Sequence, residues 1–260
     1  MTLYDAKEAA SLVRFDADKV KLDQGTIEPS TVAYKDELLR SGLVVNENLT
    51  PSVHETLETV CKRLQMSTKS VTAFIFADPN YQASCISMGP EKCLLQFSSA
   101  LVNSLDTEEL SFVIGHELGH FLLEHRGLPG NDLAPESFLL NRAQEISADR
   151  IGLIGANDVN AALRALIKTI SGLENRLLRF DVGQFLSQIQ AIENPSAGES
   201  VTSTHPSILI RARAIIWFSS ITNLNDYPHG LTDKHIQSVN EKVQVDLDKY
   251  VDSSLNNQIR

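Results

Sequence analysis

A His-Glu-Leu-Gly-His sequence at residues 116–120 constrains this chain most, because it lies within a strongly apolar stretch with helical periodicity. Side chains four residues apart share one face of a helix, so the rings of His116 and His120 can meet at one ion. Glu117 leans towards the same space. Neutral imidazole is a good zinc ligand, and catalytic zinc sites usually have three protein ligands and one open position. The pattern indicates a zinc site; the alternative is two histidines that make ordinary hydrogen bonds on a helix.

A third protein ligand has to come from another helix. Glu124 is too distant, since it lies about 12 Å along the helix axis from the first histidine. The next predicted helix carries Glu145 and Asp149, which are again four residues apart on one face. If the two helices are antiparallel, Glu145 completes the ligand set, and Asp149 accepts a hydrogen bond from the far ring nitrogen of a metal-bound histidine. Alternatively, both carboxylates pair with Arg142 and Arg150 on a solvated face.

The rest of the sequence predicts an α+β fold, mostly α-helical, with a small mixed or antiparallel sheet of about three strands. Apolar and alternating runs predict strands at 71–77, 83–88 and 93–97. Helical patterns are found at 5–25, 31–42, 52–64, 136–154, 159–170, 177–192 and 207–221, and one more helix is expected within 232–260. The helix with the histidines is expected to begin after Asp106, its predicted cap, and to end near Gly127.

Composition excludes several other classes of protein. A formal net charge of -10 argues against nucleic-acid binding through a broad basic surface. No apolar run approaches the roughly 20 residues that cross a bilayer, so no transmembrane helix is expected. The first eight residues contain no apolar signal-peptide core, so we expect a cytoplasmic protein, or a periplasmic one if a leader has been removed. The three cysteines show no CxxC spacing, which argues against a cysteine zinc site.

Three sequence blocks resemble the HtpX and CAAX prenyl protease family of gluzincin metallopeptidases. They are residues 116–120 with His125 five residues on, Glu145 with Asp149, and Ser203-Thr204-His205-Pro206 followed by Arg211. The resemblance implies a zincin-like core and cleavage of peptide bonds. In that family the histidine matching His205 approaches the substrate oxyanion, and the arginine matching Arg211 supports it. The residues alone leave His205 as an ordinary helix cap or surface histidine.

Together these features predict a helical extension at 1–50, a zincin-like peptidase domain at 51–230 and a helical tail at 231–260. The expected function is that of a zinc-dependent metalloendopeptidase with one zinc ion per chain and Glu117 as general base. Its substrates would be peptides or unfolded proteins, as in protein quality control, added as a strand along 83–88. Two alternatives stay open: a zinc-containing peptide-binding or regulatory protein with little turnover, and a zinc hydrolase acting on a non-peptide amide. The loops at 128–135 and 194–204 are candidate gating segments.

Overall fold

The computed structural model of the protein describes residues 3–19, 30–125, 135–191 and 207–250. The α-helices of these residues are α1 (Leu3–Ser11), α2 (Ser30–Ser41), α3 (Pro51–Arg63), α4 (Ser99–Ser104), α5 (Thr107–Leu122), α6 (Pro135–Ala156), α7 (Val159–Ser171), α8 (Val182–Ser187), α9 (Ile208–Ser219) and α10 (Asp233–Tyr250). The strands are β1 (Leu43–Val44), β2 (Val71–Phe76), β3 (Ala83–Ser87) and β4 (Cys93–Ser98). Short 3-10 helices lie at Asp16–Lys19, Thr68–Ser70, Gln188–Ala191 and Leu224–Asp226.

The sheet is mixed, with the strand order β1-β2-β4-β3. β2 and β4 are parallel, whereas β1 with β2 and β3 with β4 are antiparallel. The α+β prediction is confirmed, but among the described residues the sheet has four strands where about three were expected. The additional strand, β1, is only two residues long, so it shows no alternating pattern in the sequence. β3 lies at an edge of the sheet, because no other described strand pairs with its outer side.

Several helix ends differ from the predicted ones. α1 ends at Ser11 and is followed by a 3-10 helix, so the predicted helix at 5–25 is wrong in its second half as far as the structure describes it. α5 ends at Leu122, before Gly127, because Glu124 adopts a positive φ of 58° that stops the helix.

The predicted gating segments lie outside the described residues, apart from Pro135. Across the described part of the chain, no helix combines the length and apolarity that spanning a bilayer requires.

The helices α5 and α6 pack with their backbones in contact. A Cβ atom added at Gly115 would lie 3.0 Å from the Cα of Gly152, and one added at Gly119 would lie 3.1 Å from the Cα of Ala148. At Gly152 an added Cβ would lie 2.9 Å from the carbonyl oxygen of Phe112. No side chain therefore separates the two helices here, and residues of α6 can reach side chains of α5 directly.

The start of α5 is fixed by the predicted cap and by a buried ion pair. The Asp106 carboxylate accepts from the Glu109 backbone N–H at 2.8 Å, and Glu109 accepts from the Asp106 N–H at 2.9 Å, which completes a capping box. Glu109 is fully buried and pairs with Lys168 and Arg164 of α7. Burial alone would raise the pKa of Glu109, but Lys168, the Asp106 N–H and Arg164 hold it below its ordinary value. These contacts secure α5 against α7.

We predict that Gly152→Ala lowers the free energy of unfolding by about 1–3 kcal/mol, because overpacking forces backbones apart. Its Cβ would meet the Phe112 carbonyl oxygen at 2.9 Å. Urea unfolding measures this change. The matched control is Gly183→Ala in α8, where the nearest atom to the new Cβ is 3.4 Å away, so stability should be unchanged or slightly higher. Equal stability of both variants would contradict the close packing of α5 and α6.

Candidate metal centre

Two histidines of α5 and one glutamate of α6 bring their ligand atoms together. The Nε2 atoms of His116 and His120 are 3.2 Å apart. Glu145 Oε2 lies 3.5 Å from His116 Nε2, and Glu145 Oε1 lies 3.5 Å from His120 Nε2. Donors of a tetrahedral zinc ion are about 3.4 Å from one another, given zinc–nitrogen distances of about 2.1 Å. The donor types and their spacing fit, and these three residues could hold a metal ion.

Asp149, one turn beyond Glu145 on α6, contacts the other side of the His116 ring. Its Oδ1 atom lies 3.0 Å from His116 Nδ1, so the carboxylate can accept the Nδ1 proton and leave Nε2 facing the ligand cluster. Burial alone would raise the pKa of Asp149, but Arg211 and the hydrogen bond with His116 hold it below its ordinary value. The carboxylate therefore stays ionised at neutral pH and keeps the ring in one tautomer.

Arg211 enters the site from α9 and contacts both carboxylates of α6. Its Nε and Nη2 atoms donate to the two oxygens of Asp149 at 2.8 and 2.6 Å, and Nη1 lies 3.2 Å from Glu145 Oε2. Burial opposes ionisation of Glu145, but the charges of Arg211 and His116 hold the pKa of Glu145 well below its usual range. Arg211 thus forms ion pairs with both carboxylates of the site, Asp149 and Glu145. His205, expected to act with it, lies outside the described residues.

The structure adds two residues that sequence reasoning did not assign to the site. His125 Nδ1 lies 2.9 Å from His120 Nδ1, and His125 Nε2 lies 2.8 Å from Asp18 Oδ2. Burial lowers the pKa of His125 to about 4, although Asp18 opposes this shift, so the ring is neutral at neutral pH. His125 was visible only as part of the family resemblance, and no local pattern marks Asp18.

The charges around the cluster favour a cation. Burial lowers the pKa of His120, but the hydrogen bond and charge of Glu145 and the charge of Glu117 raise it above its ordinary value. A field that favours a protonated histidine also favours a bound metal ion. Glu117 is half-buried on α5, and its charge also contributes to the raised pKa of Cys85 on β3, after the Cys93 hydrogen bond and burial. Glu117 therefore lies within electrostatic reach of both the ligands and the edge strand.

The carboxylates of α6 do not lie on a solvated face, as the simpler alternative required. Glu145, Asp149, Arg142 and Arg150 are all buried. Arg150 donates to the Val13 carbonyl at 2.9 Å and to Asn240 Oδ1 at 2.8 Å, away from the ligand cluster. α6 is buried along this part of its length.

Two segments of the chain, residues 47–128 and 132–216, match peptidase family M48. The plastoglobule-localized metallopeptidase 48 from the chloroplast of Arabidopsis thaliana is 20% identical over 208 residues, which are 69% of this chain and 60% of that protein. This chain therefore spans less than two thirds of the relative's length. No solved structure matches it. The matched segments contain His116, His120, Glu145, Asp149 and Arg211, and they cover more than half of the sequence. The resemblance to zinc metallopeptidases is confirmed at the level of the family, and the chain belongs to peptidase family M48.

Proposed function

We propose that this chain is a zinc-dependent metalloendopeptidase, in which His116, His120 and Glu145 hold one zinc ion and Glu117 is the general base. The observation that carries the proposal is the convergence of two imidazoles and one carboxylate, with adjacent donor atoms 3.2 to 3.5 Å apart, in a metallopeptidase family member. Two nitrogens and one oxygen from three residues form a donor set that favours zinc and leaves one position open.

Each residue of the site has its own role in the proposed peptide hydrolysis. When bound, zinc supplies Lewis acidity, which polarises the scissile carbonyl and lowers the pKa of a water molecule. Glu117, adjacent to His116 on α5, takes the proton from the attacking water and returns it to the leaving amine. Asp149 orients the His116 ring, and Arg211 keeps Asp149 and Glu145 ionised. Oxyanion stabilisation by His205, worth a few kcal/mol in comparable enzymes, is supported by the family resemblance alone.

The outer edge of β3 is proposed to bind the substrate as an added strand. Met88 N–H donates to the Lys92 carbonyl at 2.8 Å, and hydrogen-bonded positions alternate along an antiparallel pair. The backbone groups of Ala83, Cys85 and Ser87 therefore point away from β4, towards the open edge. Main-chain hydrogen bonds of this kind give affinity with little dependence on side chains, which suits unfolded proteins, as in protein quality control. The helix α5, which carries Glu117, contacts β3 directly, and this supports a substrate path beside α5.

We predict one zinc ion per chain in the purified wild type and none in Glu145→Ala, because two imidazoles alone hold zinc weakly. Elemental analysis after dialysis measures this difference. Glu174→Ala is the matched control, since Glu174 is exposed and pairs only at the surface with Arg176 at 3.0 Å. Zinc that survives Glu145→Ala would show that the ligand set is wrong.

We predict that Glu117→Gln retains zinc but hydrolyses a casein-like unfolded substrate at least about 100-fold more slowly, because the general base is lost. Glu108→Gln, an exposed change on the same helix, should leave the rate unchanged. Initial rates at equal zinc content make the comparison. Full activity in Glu117→Gln would refute the assigned mechanism. Wild-type protein that binds zinc and unfolded peptide without turnover would favour the peptide-binding alternative.

We predict that Ser87→Pro lowers kcat/KM for an extended peptide about tenfold, because it removes one edge N–H without removing a hydrogen bond to β4. Ser87→Ala keeps that N–H and loses only the hydroxyl contact with the Gly89 carbonyl at 3.0 Å, so it should match the wild type. Urea unfolding checks that both variants keep the sheet. Equal kcat/KM in the two variants would argue against substrate binding at this edge.

A further inference from the structure

The chain folds back sharply after α5. Glu124 has a φ of 58°, its N–H donates to the Phe121 carbonyl at 3.2 Å, and the His125 N–H donates to the His120 carbonyl at 2.8 Å. This pair of hydrogen bonds is a Schellman motif, in which glycine usually occupies the position of Glu124. A residue with a Cβ atom is disfavoured there. The turn brings the His125 side chain back onto His120, the second predicted ligand.

The N-terminal segment, from α1 to Asp18, contacts this same turn. Lys7 Nζ of α1 lies 2.8 Å from the Glu124 carboxylate. Arg14 donates to the Leu123 carbonyl and, at 3.1 Å, to the Asp18 carbonyl. Both cations therefore lie at the C-terminal end of α5, where the helix dipole favours positive charge.

Contacts with α6 fix the same segment from the other side. The Phe15 N–H donates to Ser147 Oγ at 3.0 Å, and Arg150 donates to the Val13 carbonyl at 2.9 Å. The segment is therefore held by both helices that carry the predicted metal ligands, and Asp18 has a defined position relative to them.

The hydrogen bonds from His120 to Asp18 have one consistent direction. His120 Nε2 faces the ligand cluster, and a nitrogen that binds metal carries no proton, so the proton is on Nδ1. His120 Nδ1 then donates to His125 Nδ1 at 2.9 Å, which leaves the His125 proton on Nε2. That proton is donated to Asp18 Oδ2 at 2.8 Å. The side chains of His125 and Asp18 are only 2% and 1% exposed, so water does not compete for these bonds.

We infer that Asp18 and His125 are positioning residues for His120, and that residues 13–18 are part of the metal centre. Each histidine ligand then has its own buried carboxylate, Asp149 directly for His116 and Asp18 through His125 for His120. Such partners fix the tautomer and orientation of a ligand and raise its basicity. The inference rests on the proposed metal-dependent function and adds to it a contribution from the N-terminal segment.

Zinc affinity tests this inference without any assay of activity. Competition with a chromophoric zinc chelator gives the dissociation constant for the wild type, Asp18→Asn and His125→Leu. Both variants should bind zinc about 10- to 100-fold more weakly, the usual effect of losing such a partner. His125→Asn, whose amide oxygen can replace Nδ1 as acceptor, should bind more tightly than His125→Leu. Glu8→Gln, an exposed change in α1, should match the wild type, and the unfolding midpoint of each metal-free protein checks that the fold is kept.

Equal zinc affinity in the wild type, Asp18→Asn and His125→Leu would overturn the inference and leave the proposed function standing. If Glu8→Gln weakens zinc binding as much as Asp18→Asn does, the inference is also overturned, because the hydrogen bonds from His120 to Asp18 would not be the cause. Wild-type protein that binds no zinc would overturn the proposed function and the inference together.

Discussion

Where α5 and α6 cross, their backbones are in contact at glycines. The short distance between the two helix axes determines how far the carboxylates of α6 must reach to meet the histidines of α5. The Asp149 carboxylate is short, yet it meets the His116 ring at 3.0 Å, and the Glu145 carboxylate reaches both histidines at 3.5 Å. Interior packing is too dense for such spacing to adjust freely when a methyl group is inserted. The ligand geometry is therefore a property of two backbones, and Gly115 and Gly152 contribute to it without touching the ligands.

The buried charges of the site depend on one another. Ionised carboxylates are costly to bury unless cations or donors surround them, and Arg211 supplies a cation to Asp149 and Glu145 at once. The histidines face the same carboxylates from α5. Removing one partner from such a set leaves a buried charge without compensation, which costs several kcal/mol in typical cases. The arrangement explains why an arginine lies so near a site that is expected to bind a cation.

Much of the fold and the core of the site could be predicted because both are encoded in local spacing. The period of α3, α5 and α7, the apolar runs of β2 and β4, and the four-residue intervals of the histidines and carboxylates are all visible within a few turns. Contacts between distant residues were not visible: Asp18 and His125 are 107 residues apart, and Arg211 is 62 residues from Asp149. The end of α5 was missed because Glu124 is not a residue that marks a left-handed turn.

The contacts of Arg211 also bear on when the site can form during synthesis. The ribosome releases α5 and α6 first, and α9 emerges about 60 residues after Asp149. Until then the two carboxylates of α6 lack their guanidinium partner, and burying them beside α5 is unfavourable. A nascent chain that ends before α9 carries every predicted ligand in its sequence but lacks the counter-ion that makes their burial stable. The order of the chain thus delays stable assembly of the metal centre until α9 has been synthesised.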